Sequence, residues 1–365
     1  MTATRPDGQA AGARPPRYCG PVQRGDGWIR GPLPDAALAL SWVPFALAAR
    51  LVEGAGGSLK VLFGWVMFIS FLHQPLTFPL VYASPWRLTT HKRLFLWFPI
   101  IALAVIAVSV QVSLTLVAVV GAIWNAEHIL MQRYGITRFY GRKAGDDQGW
   151  LERWMLVTWF LVPLLWAAAS GHLHHVLDRI SSESVDADAA GVLARMTAGA
   201  AVALALVAVA AVYLTARWFM NERRLASPSS RGKSVYLLAT AGLFGLAFID
   251  PIAAVVGFVA SHSIEYFVLV NRSVASERRH VGPLSRIARR PNGQLVFFGV
   301  YAAAATVTFF LLYRVAPAQV LLMGILTIGA VHFFYDAFIW KLRKAEVAES
   351  LAVVSSRPAS FEPAT

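Results

Sequence analysis

Long apolar runs separated by short basic clusters set the pattern of this chain. A membrane-spanning helix needs about 20 mostly apolar residues. Ten runs approach that length: 34–52, 61–83, 94–111, 113–133, 153–170, 196–219, 234–249, 252–271, 294–313 and 317–340. Two pairs are almost continuous. The stretch 94–133 is too long for one span and is expected to turn near Gln111. The stretch 234–271 is expected to turn at Asp250-Pro251, because proline lacks a backbone N–H and disfavours helix at the residue before it. The pattern predicts an all-α, polytopic transmembrane bundle of about ten spans, forming one domain over residues 33–343. The flanking segments 1–32 and 344–365 read as disordered cytoplasmic tails, rich in Arg, Gly and Pro or in Ala, Ser and Pro.

Charge gives the orientation. With the N-terminus cytoplasmic, Lys and Arg number five in the tail, three in 84–93, five in 133–153, five in 217–233, six in 271–293 and at least three after 340. Lys60, Arg179, Arg195 and Arg314 fall on the other side. This asymmetry follows the positive-inside rule and places both termini in the cytoplasm of a bacterial-type inner membrane. Composition agrees: 57% of the residues are hydrophobic and 15% charged, against roughly a quarter charged in soluble proteins. The net charge of +13 lies between apolar runs rather than along an exposed face, which argues against nucleic acid as a partner. The single cysteine, Cys19, excludes a disulfide framework, an iron–sulfur cluster and a cysteine-ligated zinc within one chain. Any metal must be held by nitrogen and oxygen.

Against this background four histidines stand out, each inside an apolar run. His73 is followed by Thr77, His128 by Gln132, His262 by Glu265 and Tyr266, and His332 by Asp336. Ionisable groups in hydrocarbon are costly and usually face the bundle interior. Positions i and i+4 share a helix face, so each segment presents an imidazole with an oxygen-bearing side chain one turn further on. The four runs are the second, fourth, eighth and tenth and share one direction across the membrane. Imidazole suits iron, zinc and copper, and a carboxylate is a usual companion of non-haem iron. His73, His128, His262 and His332 are therefore the candidate metal ligands. Thr77, Glu127, Gln132, Glu265, Tyr266 and Asp336 are candidates for additional ligands or for groups that orient the imidazoles. Depth is an obstacle: His128 is five residues, about 7.5 Å along a helix, from Arg133, and His73 lies much further from its basic loop. A common site requires the fourth helix to run on past Arg133, or the second to break, for which Pro75 and Pro79 provide a cause.

The segment AVHFFYDAFIWKLR (330–343) resembles the C-terminal signature of the Brp/Blh family of membrane-embedded bacterial β-carotene dioxygenases, and FVASHSIEYF (258–267) is similar to that family's penultimate histidine motif. The resemblance covers about 40 residues. It implies Fe(II) held by His73, His128, His262 and His332, with dioxygen and a carotenoid as reactants. Two departures stand against the carotenoid itself. Thr77 and Gln132 occupy positions where the family has Asp, and Tyr266 stands in place of a second histidine.

The stretch RYGITRFYGRKAG (133–145) offers Arg133, Arg138, Arg142 and Lys143 as a clamp for an anionic headgroup, or as ordinary positive-inside charge in an aromatic belt. Three functions are consistent with these residues. The first is a membrane-bound non-haem iron oxygenase acting on an apolar substrate. The second is a proton- or cation-coupled transporter using the same His, Glu and Asp residues. The third is a noncatalytic membrane subunit that needs a protein partner.

Overall fold

A computed structural model describes residues 27–143, 146, 149–180, 187–224, 231–276 and 282–340. Most of both predicted tails lies outside the described residues. The described residues form helices and no strand: α1 (Pro32–Ala39), α2 (Val43–Gly54), α3 (Leu59–His73), a 3-10 turn (Gln74–Leu76), α4 (Thr77–Tyr82), α5 (Pro85–Thr90), α6 (Lys92–Val112), α7 (Leu114–Lys143), α8 (Gly149–Ala169), α9 (His172–Ile180), α10 (Ala187–Arg224), α11 (Arg231–Leu246), α12 (Pro251–Ser276), α13 (Pro283–Ala288), α14 (Gly293–Val315) and α15 (Ala318–Ile339). Among them seven spans are long and apolar enough to cross a membrane, and α1 with α2, bent by 42°, makes an eighth if counted as one span. These are the helices of an integral membrane protein. The α7 and α11 helices complete the set of ten apolar runs but are not among the seven.

The α12 helix is the centre of the bundle. Its most apolar stretch is 72% buried, whereas that of α14 contains no fully buried residue and meets the core through the half-buried Phe297, Phe298 and Tyr301. Small residues explain how so many neighbours reach it. Ala253, Ala254, Ala260, Ser261 and Ser263 are all buried, and a side chain at Gly257 would meet the Trp42 carbonyl at 3.2 Å. Close backbone approach of this kind is the usual basis of helix association in lipid.

Two local features set the depth of the site. First, α3 ends at His73 and passes through the 3-10 turn before α4 resumes at Thr77. Pro75 and Pro79 remove two backbone donors, so a regular α-helical ladder cannot continue there. Second, α7 does not stop at Arg133. It runs on to Lys143, so that the whole helix has 30 residues, about 45 Å at 1.5 Å per residue, which leaves His128 near its middle. Both routes for bringing the histidines to one level are therefore in use.

The far end of α7 is held by a buried ion cluster. Arg138 donates to Glu152 at 2.6 Å and to Asp146 at 3.1 Å. The Lys233 ammonium lies 3.0 Å from each of the same two carboxylates and also contacts Glu222. Burial works against the Lys233 charge, but Glu152, Asp146 and Glu222 outweigh it and hold its pKa above the ordinary lysine value. This cluster ties α7, α8, α10 and α11 together at one end of the bundle.

Candidate metal centre

The four histidines converge from α3, α7, α12 and α15. His73, His262 and His332 are 0% exposed and His128 8% exposed. Ring centroids are 4.6 Å apart for His73–His262, 4.8 Å for His73–His332, 5.1 Å for His128–His262 and 4.9 Å for His128–His332. Ligand atoms of His73, His262 and His332 lie within 4.8 Å of one another, and so do those of His128, His332 and Asp336. His332 belongs to both groups and is the hinge of the centre.

The donor set fits a transition-metal ion. Nε2 of His73 and Nε2 of His332 are 3.2 Å apart. Ligand nitrogens at about 2.05 Å from an ion are separated by about 2.9 Å in cis octahedral and about 3.3 Å in tetrahedral geometry. Nε2 of His128 and both ring nitrogens of His262 are buried with no hydrogen-bond partner, although buried polar atoms are almost always satisfied. The Asp336 carboxylate adds an oxygen 3.7 Å from Nε2 of His332 and 3.8 Å from Nε2 of His128. A bound cation would supply what these orphaned atoms lack.

A hydrogen-bonded relay fixes the orientation of His332. Tyr266 donates to Asp336 at 3.2 Å. With that proton committed, the 3.0 Å contact between Thr77 and Tyr266 must be donated by Thr77. The Thr77 oxygen then accepts the Nδ1 proton of His332 at 2.7 Å. The relay has one consistent direction, and it leaves Nε2 of His332 as a bare lone pair facing His73. Orientation of a ligand imidazole by its second nitrogen is general in metal sites.

Glu265, which the sequence leaves as ligand or orienter, faces away from the imidazoles. It accepts from Tyr236 at 2.9 Å and from Gln132 at 3.2 Å, and it pairs with Arg133 at 3.4 Å. Gln132 also donates to the backbone carbonyl of His262 at 2.9 Å, which braces α12 against α7 beside the centre. Glu127 is exposed and belongs to neither ligand group.

The basic residues of α7 turn inward. Arg133 is fully buried and donates to Ser261 at 2.7 Å and Thr240 at 3.2 Å besides pairing with Glu265. Arg138 is held in the ion cluster, and Lys143 contacts the Trp28 carbonyl. Arg142 is partly buried near the same helix end. Tyr236, Thr240 and Ser261 escape sequence reasoning altogether. The available signal is that Glu265 in an apolar run needs a counter-charge, and Arg133 is the cation at its depth. Comparison of the chain with protein-family models, with curated proteins and with solved structures finds no match in any of the three.

Proposed function

We propose that this chain is an integral membrane oxidoreductase in which a non-haem iron, held by His73, His128, His262 and His332 with Asp336, acts with dioxygen on an apolar substrate dissolved in the bilayer. The observation that carries the reading is the set of buried imidazole nitrogens without a hydrogen-bond partner, gathered from four helices. Bound iron would supply the dioxygen chemistry. The chain's own residues hold Nε2 of His73 and of His332 3.2 Å apart, orient His332 through Thr77 and Tyr266, and bury the centre away from bulk water. The similarity of 258–267 and 330–343 to Brp/Blh motifs supports iron and an isoprenoid or lipid substrate.

Access favours the same class of substrate. His128 and Asp336, each 8% exposed, are the members of the centre with residual exposure; the other three histidines have none. The His128 ring stacks on Phe333 with centroids 4.5 Å apart, and Trp124, 39% exposed, packs edge-on against Phe333. An apolar molecule arriving between α7 and α15 would meet this aromatic pair before the ligands.

The membrane arrangement in this reading keeps ten crossings, with α7 and α11 completing the set and both termini cytoplasmic, as the distribution of Lys and Arg requires. The deciding experiment is elemental analysis of the detergent-purified protein. Near-stoichiometric iron is expected, lost in each of His73→Ala, His128→Ala, His262→Ala and His332→Ala. Iron retained at wild-type level in all four variants, or metal-free protein that moves cations in liposomes, overturns the proposal.

A further inference from the structure

A second site is formed where α1, α7 and α12 meet, away from the histidines and independent of any metal there. It is a cavity of about 220 Å³ whose lining includes Arg30, Ile136, Phe139, Ile264, Val268 and Arg272. Ile264, Val268 and Arg272 follow one another at four-residue spacing and so share one face of α12. They span about 12 Å along the helix. The cavity is thus apolar at one end and cationic at the other. The chain reads as a membrane protein, and this polarity is that of a lipid: a chain at one end, a headgroup at the other.

The charges at the cationic end point to an anion. Arg30 and Arg272 both line this cavity, so their guanidinium charges act on the same space. Asp35 offsets one of the two charges, and its oxygens are already engaged by the backbone N–H groups of Ile29 at 2.5 Å and Arg30 at 3.1 Å. Asp35 therefore fastens the segment that carries Arg30, and the charged residues lining this end are two arginines and one carboxylate. Arg272 lies over the Phe139 ring at 5.4 Å, and its bond to the Ile29 carbonyl is long, at 3.4 Å. Guanidinium groups match phosphate and carboxylate oxygens geometrically and bind them by charge-assisted hydrogen bonds.

We propose that this cavity binds an anionic amphiphile, with its acidic headgroup between Arg30 and Arg272 and the first part of its chain along Ile264, Val268 and Ile136. Of the arginines that the 133–145 stretch offers for this purpose, Arg133 and Arg138 are buried in internal pairs; Arg30 and Arg272, from opposite ends of the chain, line this cavity instead.

The test is native mass spectrometry of the full-length, detergent-solubilised protein, titrated with phosphatidylglycerol and phosphatidylcholine of identical chains. One phosphatidylglycerol is expected to be retained about tenfold better than phosphatidylcholine, the scale of one charge-assisted contact. The Arg30→Gln/Arg272→Gln double variant should abolish that preference. Ile264→Trp, which fills the cavity with both arginines intact, should weaken retention of phosphatidylglycerol as well. Equal retention of the two lipids, or a preference that survives in the double variant, overturns the proposal. So does displacement by inorganic phosphate together with indifference to acyl-chain length, which would mark a site for a free anion. If the double variant fails to fold, as judged by gel filtration, Ile264→Trp and the charge-preserving Arg30→Lys/Arg272→Lys variant decide: the first should lose retention and the second keep part of it.

Discussion

Thr77 contributes neither charge nor a ligand atom, yet it decides which nitrogen of His332 is free. Replacing it with valine removes the acceptor for the Nδ1 proton while keeping the side-chain shape. Metal affinity should fall by about 10- to 100-fold, the usual effect of losing an orienting partner, and Thr77→Ser should restore most of it. Competition with a chelator measures this, and equal affinity in Thr77→Val and wild type would refute the relay. Glu265 shows how far sequence spacing reaches at this scale. Residues three and four positions after a histidine are displaced from it by about 60° and 40° in opposite senses. Tyr266, at i+4, accordingly turns toward α4 and α15 and joins the relay, while Glu265, at i+3, turns toward α7 and α11 and finds Arg133 and Tyr236. The four histidines were legible as candidates because each stands in a different apolar run, and Asp336 because it follows His332 by one turn; the partner of Glu265 was not, because pairing depends on helix rotation. A buried ion pair costs about 3–5 kcal/mol when one member is removed, and much less when both are replaced by apolar residues. Arg133→Met alone should therefore lower the thermal midpoint in detergent sharply, and Arg133→Met/Glu265→Leu should recover much of the loss. A double variant no more stable than the single would count against the pair as the cause.

At the scale of the helices, the sequence supplied the turns but not their consequences. The chain breaks at Ser113, between α6 and α7, close to the turn expected near Gln111, and again between Leu246 and Pro251. The proline pair after His73 gave reason to expect an interrupted second span. Nothing in the hydropathy of α7 revealed that it runs on to Lys143, because its second half carries Arg133, Arg138, Arg142 and Lys143 and reads as a loop. Arg133 is accommodated by Glu265, Arg138 by Asp146 and Glu152, and Lys143 by the Trp28 carbonyl. The start of α11 is where this packing is tightest. A side chain at Gly232 would stand 2.5 Å from the Tyr140 ring and 2.9 Å from the Gly27 carbonyl, next to Lys233. Gly232→Ala should destabilise the protein by about 1–3 kcal/mol through overpacking. Gly245→Ala on the same helix meets nothing within 4 Å and should be neutral or stabilising by up to about 1 kcal/mol, since alanine is the better helix former. Thermal unfolding of the two variants side by side checks the difference. Equal midpoints would mean that the α7–α11 contact yields without cost.

For the molecule as a whole, the number of crossings and their direction rest on different physics. Length and hydropathy identify seven spans, or eight with the bent α1–α2 pair. The α11 helix has 16 residues, about 24 Å of rise against a hydrocarbon core of about 30 Å, so it crosses only where neighbours or a thinned bilayer cover the deficit. Charge asymmetry, by contrast, is insensitive to helix length, and the positive-inside rule predicts the basic segments 84–93, 133–153, 217–233 and 271–293 on one side. If α7 and α11 both cross, these clusters share the cytoplasmic face with both termini; if just one crosses, some of them are translocated. The lone Cys19 makes the first half of this testable without mutation. A membrane-impermeant maleimide should label Cys19 in inverted inner-membrane vesicles and leave it unlabelled in intact spheroplasts, which fixes the N-terminal side. In a Cys19→Ser background, Ser229→Cys, between α10 and α11, should show the same protection, and Ser182→Cys, between α9 and α10, the opposite. Labelling of the Ser229 position from outside would remove the ten-crossing arrangement while leaving the histidine centre intact, because the convergence of α3, α7, α12 and α15 depends on packing around α12 and not on which compartment the loops occupy.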